Sequence, residues 1–471
     1  MALKNQFFDE IKKQLIFLVL NSTSHGFPKI FSSSNKIIKY IWIFFSILST
    51  CICAFLIIQN IKKYYDFEVT TKIRLKPQFK AIFPSITICN VNFFTSKESI
   101  ELVQDLTNVT NYPNDPELFL FESGTNLLKS KTQNGKNYSD SISKLILKCF
   151  HLLIPCNLSE FDFYFSPTYG NCYTFNPGFD SNKNLRSFDQ LISTSKTFKI
   201  QGLRLILNVS VPEELKFIMP SNGAAIYIHN QTDPAAFMRP IMAAPGVSTN
   251  IGLTKTRTVQ NPKPYSQCDP DTQDPSKYNS ELFKMVHDYY KSYKRVICFD
   301  YCYQRLSLKE CGCNQPIFPS NLKKIPCLNK TKCISKQAEL FSDGNYVSDF
   351  CVPECPLECE MISFTKTISV NKYSNDAFDM MMSKKLNLSN RKISEDIAQV
   401  NVYYESLDHT EIVEFATMDF VDLLSSIGGI AGLFLGISVL SLVEILEIVL
   451  EILFLYKNSI KSNSPISKVE L

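Results

Sequence analysis

The chain has 471 residues, of which 45 % are hydrophobic and 20 % charged, and its net charge is +4. A charge so small, spread over so long a chain, gives no footing for a nucleic-acid partner. The length exceeds what one compact domain needs, but two stretches read as membrane spans.

Residues 1–36 carry Lys4, Lys12, Lys13, Lys29 and Lys36 against Asp9 and Glu10, and include the pair His25-Gly26. Tyr40 to Ile58 then runs 19 residues without a charge, and Leu423 to Val443 runs 21. About 20 apolar residues are needed to cross a bilayer as a helix, and no other segment qualifies. The first span starts too far in, is too long and lacks a small-residue cleavage site, so it does not read as a signal peptide. Lysines at both ends (Lys457, Lys461 and Lys468 in the tail) place both termini in the cytosol by the positive-inside rule. Lys62 and Lys63, beyond the first span, argue mildly against this.

The cysteines decide the sidedness. Of 16, Cys51 and Cys53 lie in the first span and the other 14 fall between Cys89 and Cys359. A dense, even set in one loop reads as a disulfide framework in an oxidising compartment. The same loop holds glycosylation sequons at Asn108, Asn137, Asn157, Asn208, Asn230, Asn329 and Asn387. Together they divide the chain into a cytoplasmic segment 1–36, a span 37–61, an extracellular domain 62–417, a span 418–455 and a cytoplasmic tail 456–471.

Within the loop, Ile82 to Cys89 reads as a short strand, and residues 95–160, with an apolar burst from Leu145 to Leu153, read as a peripheral helical lobe. Phe198 to Pro212, Ala224 to His229, Ser248 to Val259 and Val400 to Ile412 alternate as strands do. Asn279 to Arg295 reads as a helix leading into Cys298. Cys298 and Cys302 are four apart and share a helix face. Cys351, Cys355 and Cys359 recur every four residues, and Cys311-Gly312-Cys313 can nest with Cys327 and Cys333. Four close cysteines can hold zinc, but prolines and the lack of a histidine in register favour staples, each worth about 2–4 kcal/mol.

The second span is more than an anchor. Gly428, Gly429, Gly432 and Gly436 permit close helix packing and local unwinding, which survives at membrane depth only against protein or water. Glu444, Glu447 and Glu451 follow at spacings of three and four, on one helix face, with Asp419 and Asp422 above the glycines. Ionisable groups bordering a bilayer mark ion paths, and a ring of carboxylates attracts cations. The competing reading is a glycine dimerisation seam with interfacial acids.

These features together resemble the degenerin/epithelial sodium channel/acid-sensing ion channel superfamily. His25-Gly26, Phe83-Pro84-Ser85-Ile86-Thr87-Ile88-Cys89-Asn90, Gly170-Asn171-Cys172-Tyr173-Thr174-Phe175-Asn176, Gly428-Gly429 and Gly432-Leu433-Phe434-Leu435-Gly436-Ile437-Ser438 match its motifs in order. The resemblance implies a trimeric channel in the plasma membrane. Two transmembrane helices would flank a large, disulfide-rich, mixed α+β ectodomain with palm, finger and thumb-like parts. It implies the pairs Cys89–Cys172, Cys149–Cys156, Cys268–Cys359, Cys298–Cys355, Cys302–Cys351, Cys311–Cys333 and Cys313–Cys327. Gly436-Ile437-Ser438 would be the selectivity filter, His25-Gly26 would shape the lower pore, and Ser425 would be the small residue whose enlargement holds the gate open. Tyr64 and Tyr65 after the first span, and Tyr265 before Cys268, would couple thumb to membrane through aromatic contact; ordinary packing is the alternative.

Sodium is the expected permeant ion, with calcium second, and an amiloride-type molecule the expected blocker. No cofactor and no resident metal are expected. Partners would be related subunits in a homo- or heterotrimer, the bilayer and an extracellular peptide.

Departures narrow the branch. Ile437 is bulky for a middle filter residue, and residues 66–70 lack the histidine pair of acid-sensing members. Five histidines in all, none obviously placed as an external sensor, weaken proton gating, although carboxylate pairs can also sense protons. With no basic processing site in the peripheral lobe and a chain short for a degenerin, the invertebrate peptide-gated (RFamide-type) branch remains. Asp233, Asp343 and Asp349 are candidate contacts for a cationic peptide. Proton or mechanical gating, a subunit conducting only in heteromers, and a two-span ATP-gated channel are the alternatives. An enzyme is disfavoured by the absence of GxSxG, HExxH and phosphate-loop motifs. The terminal Val469-Glu470-Leu471 is a weak candidate for a PDZ groove.

Overall fold

The computed structural model describes residues 26–110, 135–166, 168–180, 184–216, 219, 221–235, 238–315, 327, 330–386, 393–441, 443–444, 446–447, 449–450 and 453–454. They belong to two compact units, Met1–Thr70 with Phe415–Leu471, and Thr71–Glu414.

In the first unit a short helix, Phe27–Ser32, starts at Gly26 with Pro28 in its first turn and ends in extended backbone at Ser33. Asn35 then caps a 30-residue helix, Lys36–Tyr65, its side chain accepting from the Ile37 N–H at 3.0 Å. At about 1.5 Å per residue this helix is about 45 Å long, enough to cross a bilayer. It is the one helix among the described residues that is long and apolar enough to do so. Its side chains are exposed nearly all round, from Phe44 to Phe55, while Cys53 is buried. Such a surface suits lipid or other protein, not water. Lys62 and Lys63 in the last turn complement the helix dipole.

The second apolar stretch is a shorter helix, Phe420–Leu435, started by a reciprocal capping box between Asp419 and Asp422. It stops at Gly436, and residues 439–441 are helical again. The stretch read from the sequence as one span is therefore interrupted. Just outside the two helices, the Thr417 N–H donates to the Glu68 carbonyl at 2.9 Å, and the hydroxyls of Thr70 and Thr417 are 3.2 Å apart.

The second unit is built on two sheets. The larger has eight strands around Val247–Val259, which pairs antiparallel along its whole length with Glu360–Lys372. Its other edge pairs in parallel first with Ile397–Tyr404 and then with His409–Ala416. The expected single strand 400–412 is thus two strands, separated by a turn that begins where the Glu405 N–H donates to Leu253. The smaller sheet runs Ile241–Ala243, Ala224–His229, Ser85–Asn90, Gly170–Phe175 and Asp162–Ser166. Ser85–Asn90 is buried on both faces, as its β-branched run requires. Phe83, Ile86, Ile88, Phe175, Leu205 and Val402 belong to one continuous core.

Residues 95–160 are not a purely helical lobe. Lys97–Thr110 is helical, residues 111–134 lie outside the described set, and Ile146–His151 is a strand beside Leu203–Asn208. The burst Leu145–Leu153 is extended from Ile146 to His151, and positive φ at Leu152 and Leu153 then turns the chain onto Ile154–Pro155.

A helical lobe carries the cysteine column. The expected helix 279–295 is broken at Lys291, which takes left-handed backbone (φ 59°) between Glu281–Tyr290 and Arg295–Cys311. The break places Tyr293 at zero exposure among Phe283, Ile297 and Cys298, with its hydroxyl donating to the Pro356 carbonyl at 2.8 Å. Bonds Cys298–Cys355 and Cys302–Cys351 leave one face of Arg295–Cys311; Cys268–Cys359, Cys311–Cys333 and Cys313–Cys327 extend the column. Cys89–Cys172 and Cys149–Cys156 complete the set, leaving Cys51 and Cys53 free. These are the seven pairs the family resemblance implies, and among the described residues no cluster of metal ligands remains.

Candidate pore and gate

The site is organised by Gly436. Its φ of 70° is left-handed, a region that favours glycine, and it closes the helix with its N–H on the Gly432 carbonyl at 3.0 Å. The Ile437 N–H reaches back to Ala431 at 3.3 Å. Ser438 then starts the next helical turn. Its N–H donates to the Ser441 hydroxyl at 3.1 Å, and the Ser441 N–H to the Ser438 carbonyl at 3.0 Å. Gly436, Ile437 and Ser438 therefore form a non-helical link between a helix C-terminus and a helix start. Backbone carbonyls released from helical pairing are oxygen groups of the kind that hard cations prefer.

One carbonyl of the last turn is held from outside the helix. The Ser49 hydroxyl, on Lys36–Tyr65, donates to the Phe434 carbonyl at 2.6 Å. Ser46, Ser49 and Thr50 share a cavity of about 250 Å³ with Gly26, Trp42, Phe45, Phe434 and Leu435. Gly26 has φ 98°, and a Cβ there would lie 2.6 Å from the Ser46 oxygen, so the turn needs glycine. The glycine of the His-Gly motif is thus buried against the first helix beside the end of the glycine helix. His25 lies outside the described residues. The sequence offered no sign of the Ser49 contact beyond three hydroxyl residues at helical spacing.

Ser425, Gly428, Gly429 and Gly432 lie along Phe420–Leu435 upstream of the break. Ser425 is exposed, and Cβ atoms added at Gly428 or Gly429 would meet nothing within 4 Å. Packing inside this chain therefore does not demand small residues there. Glu444 is half-buried and Glu447 exposed; Glu451 lies outside the described residues, as does the tail Val469-Glu470-Leu471.

Tyr64 and Tyr65 pack edge-on with ring centroids 5.4 Å apart, each 6.2 Å from Phe67. Tyr265 is in the other unit, its N–H on the Pro262 carbonyl at 3.1 Å.

Two sequence expectations need correction. Asp233 is not an open acidic contact. It is 4 % exposed, 3.2 Å from the Lys294 ammonium, and burial pushes its carboxyl up. Asp343 and Asp349 are exposed. Asn208 does not fit a glycan in the folded chain, because it is 4 % exposed in a central strand and its oxygen accepts from the Ser210 N–H. Asn137 and Asn157 are exposed and Asn230 is half-buried. Asn108 sits on Lys97–Thr110, while Asn329 and Asn387 lie outside the described residues.

Near the end of the large sheet, Glu411 joins Lys76 at 2.6 Å and Arg257 at 2.9 Å, and Arg257 also holds Glu360 at 2.7 Å. Hydrogen bonds from Lys76 to Glu411 and from Arg257 to Glu360 hold both carboxyls below their usual range. In contrast, burial pushes Asp300, between Cys298 and Cys302 on the stapled helix, up to about 7.

The amiloride-sensitive sodium channel pattern matches residues 18–448. The chain is 25 % identical over 460 residues to acid-sensing ion channel 1 of Gallus gallus, covering 92 % of this chain and 83 % of that one. It is 23 % identical over 454 residues to the bile acid-sensitive ion channel of Mus musculus, covering 91 % and 86 %. It is 28 % identical over 324 residues to epithelial sodium channel subunit beta of Bos taurus, covering 66 % and 48 %.

Proposed function

Because this chain belongs to the amiloride-sensitive sodium channel family, we propose that it is one subunit of a trimeric, sodium-conducting plasma-membrane channel opened by an extracellular neuropeptide. Both termini would face the cytosol, and an amiloride-type molecule would block the current. The family makes the chain a cation-channel subunit and not an enzyme.

The observation that carries the pore reading is the helix break at Gly436–Ser438 inside an otherwise apolar stretch. Backbone that leaves helical pairing costs several kcal/mol per unsatisfied group in hydrocarbon, so it must meet water or protein. The unfilled face at Gly428 and Gly429 is where other copies of the helix, or the water between them, would lie. Peptide opening is supported by what the sequence lacks, the histidine pair and the processing site, and by the exposed Asp343 and Asp349.

Recording from cells expressing the chain, alone and with related subunits, tests the reading. An amiloride-blocked sodium current evoked by an amidated Arg-Phe peptide is expected. A current evoked by acid and never by peptide would overturn the stimulus and keep the channel.

Acid is the second reading, favoured by Asp300. Burial raises its carboxyl to about 7, so the folded lobe binds this proton more tightly than the unfolded chain. The stabilisation is fully present below the unfolded value near 4 and is lost as pH rises through about 7. Asp300→Asn should therefore flatten the fall in thermal stability between about pH 4 and 7. An unchanged pH profile would remove Asp300 as a sensor.

A further inference from the structure

The second unit contains a partly open cavity of about 440 Å³ that the pore does not use. The volume falls within the range of about 300–1,000 Å³ common for small-molecule sites. Four elements form it: the end of strand Ala224–His229 with the loop to Asp233 and Met238, the start of helix Arg295–Cys311, the short strand Leu357–Glu358, and strand Glu360–Lys372. Its lining is mostly apolar. Ile228 and Ile297 are buried, Ile362 and Phe364 add to the wall, and Val296 and Met361, each 52 % exposed, stand where solvent reaches.

Not every charge around this apolar space is held in an ion pair. Asp233 is engaged by Lys294 at 3.2 Å, and Glu360 by Arg257 at 2.7 Å. Glu358 accepts from the Arg295 backbone N–H at 3.0 Å, and burial pushes its carboxyl up. Two cations remain. The Arg295 guanidinium rests over the Phe299 ring at 5.0 Å, its buried Nε has no hydrogen-bond partner, and it makes no ion pair among the described residues. Lys366 is half-buried and likewise unpaired among the described residues, and burial lowers its ammonium. His229, also in the lining, stays neutral: burial holds it down at about 4, and Asn230 and Thr87 satisfy its ring nitrogens. An apolar pocket with two cations outside any ion pair among the described residues is complementary to an apolar body bearing one acid group.

We propose that this cavity binds a small amphipathic anion, its acid group between Lys366 and Arg295 and its apolar body against Ile228, Ile297, Ile362 and Phe364. Bound there, the ligand would bridge the disulfide-stapled helix and the long strand of the large sheet, and so tie two elements that belong to different parts of the unit. The site is independent of the stimulus that opens the pore.

A matched probe pair tests it: 8-anilinonaphthalene-1-sulfonate and its uncharged counterpart N-phenyl-1-naphthylamine. Full-length Val296→Cys channels on intact cells are labelled with a membrane-impermeant maleimide, a readout that needs no current. The sulfonate is expected to slow labelling saturably, and the uncharged probe to do so at least tenfold less potently. Lys366→Gln and Arg295→Gln should each weaken protection about tenfold, while Lys366→Arg retains it. Equal surface delivery and equal labelling without probe show that a variant is folded. Should Lys366→Gln not reach the surface, Arg295→Gln and Lys366→Arg carry the comparison. No protection by the sulfonate, equal protection by both probes, or protection indifferent to both cation removals would overturn the proposal.

Discussion

Ser425→Phe is expected to produce a sodium current that flows without any stimulus. Ser425 is exposed on Phe420–Leu435, upstream of glycines at which an added Cβ would meet nothing of its own chain. A phenyl ring there has no cavity to fill within the subunit, so in an assembled pore it must press on neighbouring copies. Overpacking a close contact costs about 1–3 kcal/mol. In the proposed trimer the cost would fall on whichever state packs the helices most tightly, taken here as the closed one. Since about 1.4 kcal/mol is a factor of ten in an equilibrium constant, one such contact would raise the open-to-closed ratio about tenfold, and a contact from each copy would raise it further. Basal current blocked by amiloride, normalised to surface protein, measures the effect. Wild-type basal current at normal surface delivery would mean that this face does not meet other copies.

Gly436→Val should be as large an effect of the opposite kind, with loss of sodium over potassium discrimination or of current by more than tenfold. The position has φ 70°, where a β-branched residue is a steric outlier, and left-handed backbone costs an ordinary residue about 1–2 kcal/mol. Valine therefore pushes the chain toward continuing the helix. That would cover the carbonyls of the last turn and shift the one that Ser49 holds. Gly436→Asn, which tolerates left-handed backbone better, should retain more selectivity. Reversal potentials in mixed sodium and potassium solutions read the difference. Equal behaviour of the valine and asparagine variants would show that backbone hand at this residue does not shape the filter.

Local pattern made much of this molecule legible. Alternating β-branched residues marked Ser85–Asn90 and Val247–Val259, and an uncharged run marked the first helix. The glycines flagged the second apolar stretch as breakable, and the break falls at the last of the four. What stayed hidden depends on partners distant in sequence. Nothing near Lys291 signals a helix end, since there is no glycine or proline; the chain turns there to bury Tyr293 among the stapled helices. The apolar run Leu145–Leu153 suited either a helix or a strand until Leu203–Asn208 lay beside it. Asp233 read as an open acid because Lys294, its partner, is 61 residues away, and Asn208 read as a glycan site because a sequon carries no burial information. The hold of Ser49 on Phe434 spans 385 residues, and the three hydroxyl residues at helical spacing do not name its partner.

The central claim is that the interrupted stretch around Gly436 borders water inside an assembly of several copies. Cysteines placed singly at Ser425, Ser438 and Glu444, in channels with Cys51 and Cys53 replaced by alanine, test it against control cysteines at Leu424 and Leu433. Charged thiol reagents should modify the first three, change the current, and do so at rates that differ between resting and stimulated channels. If those three positions are unreactive in both conditions, or no more reactive than the controls, the stretch does not line a pore.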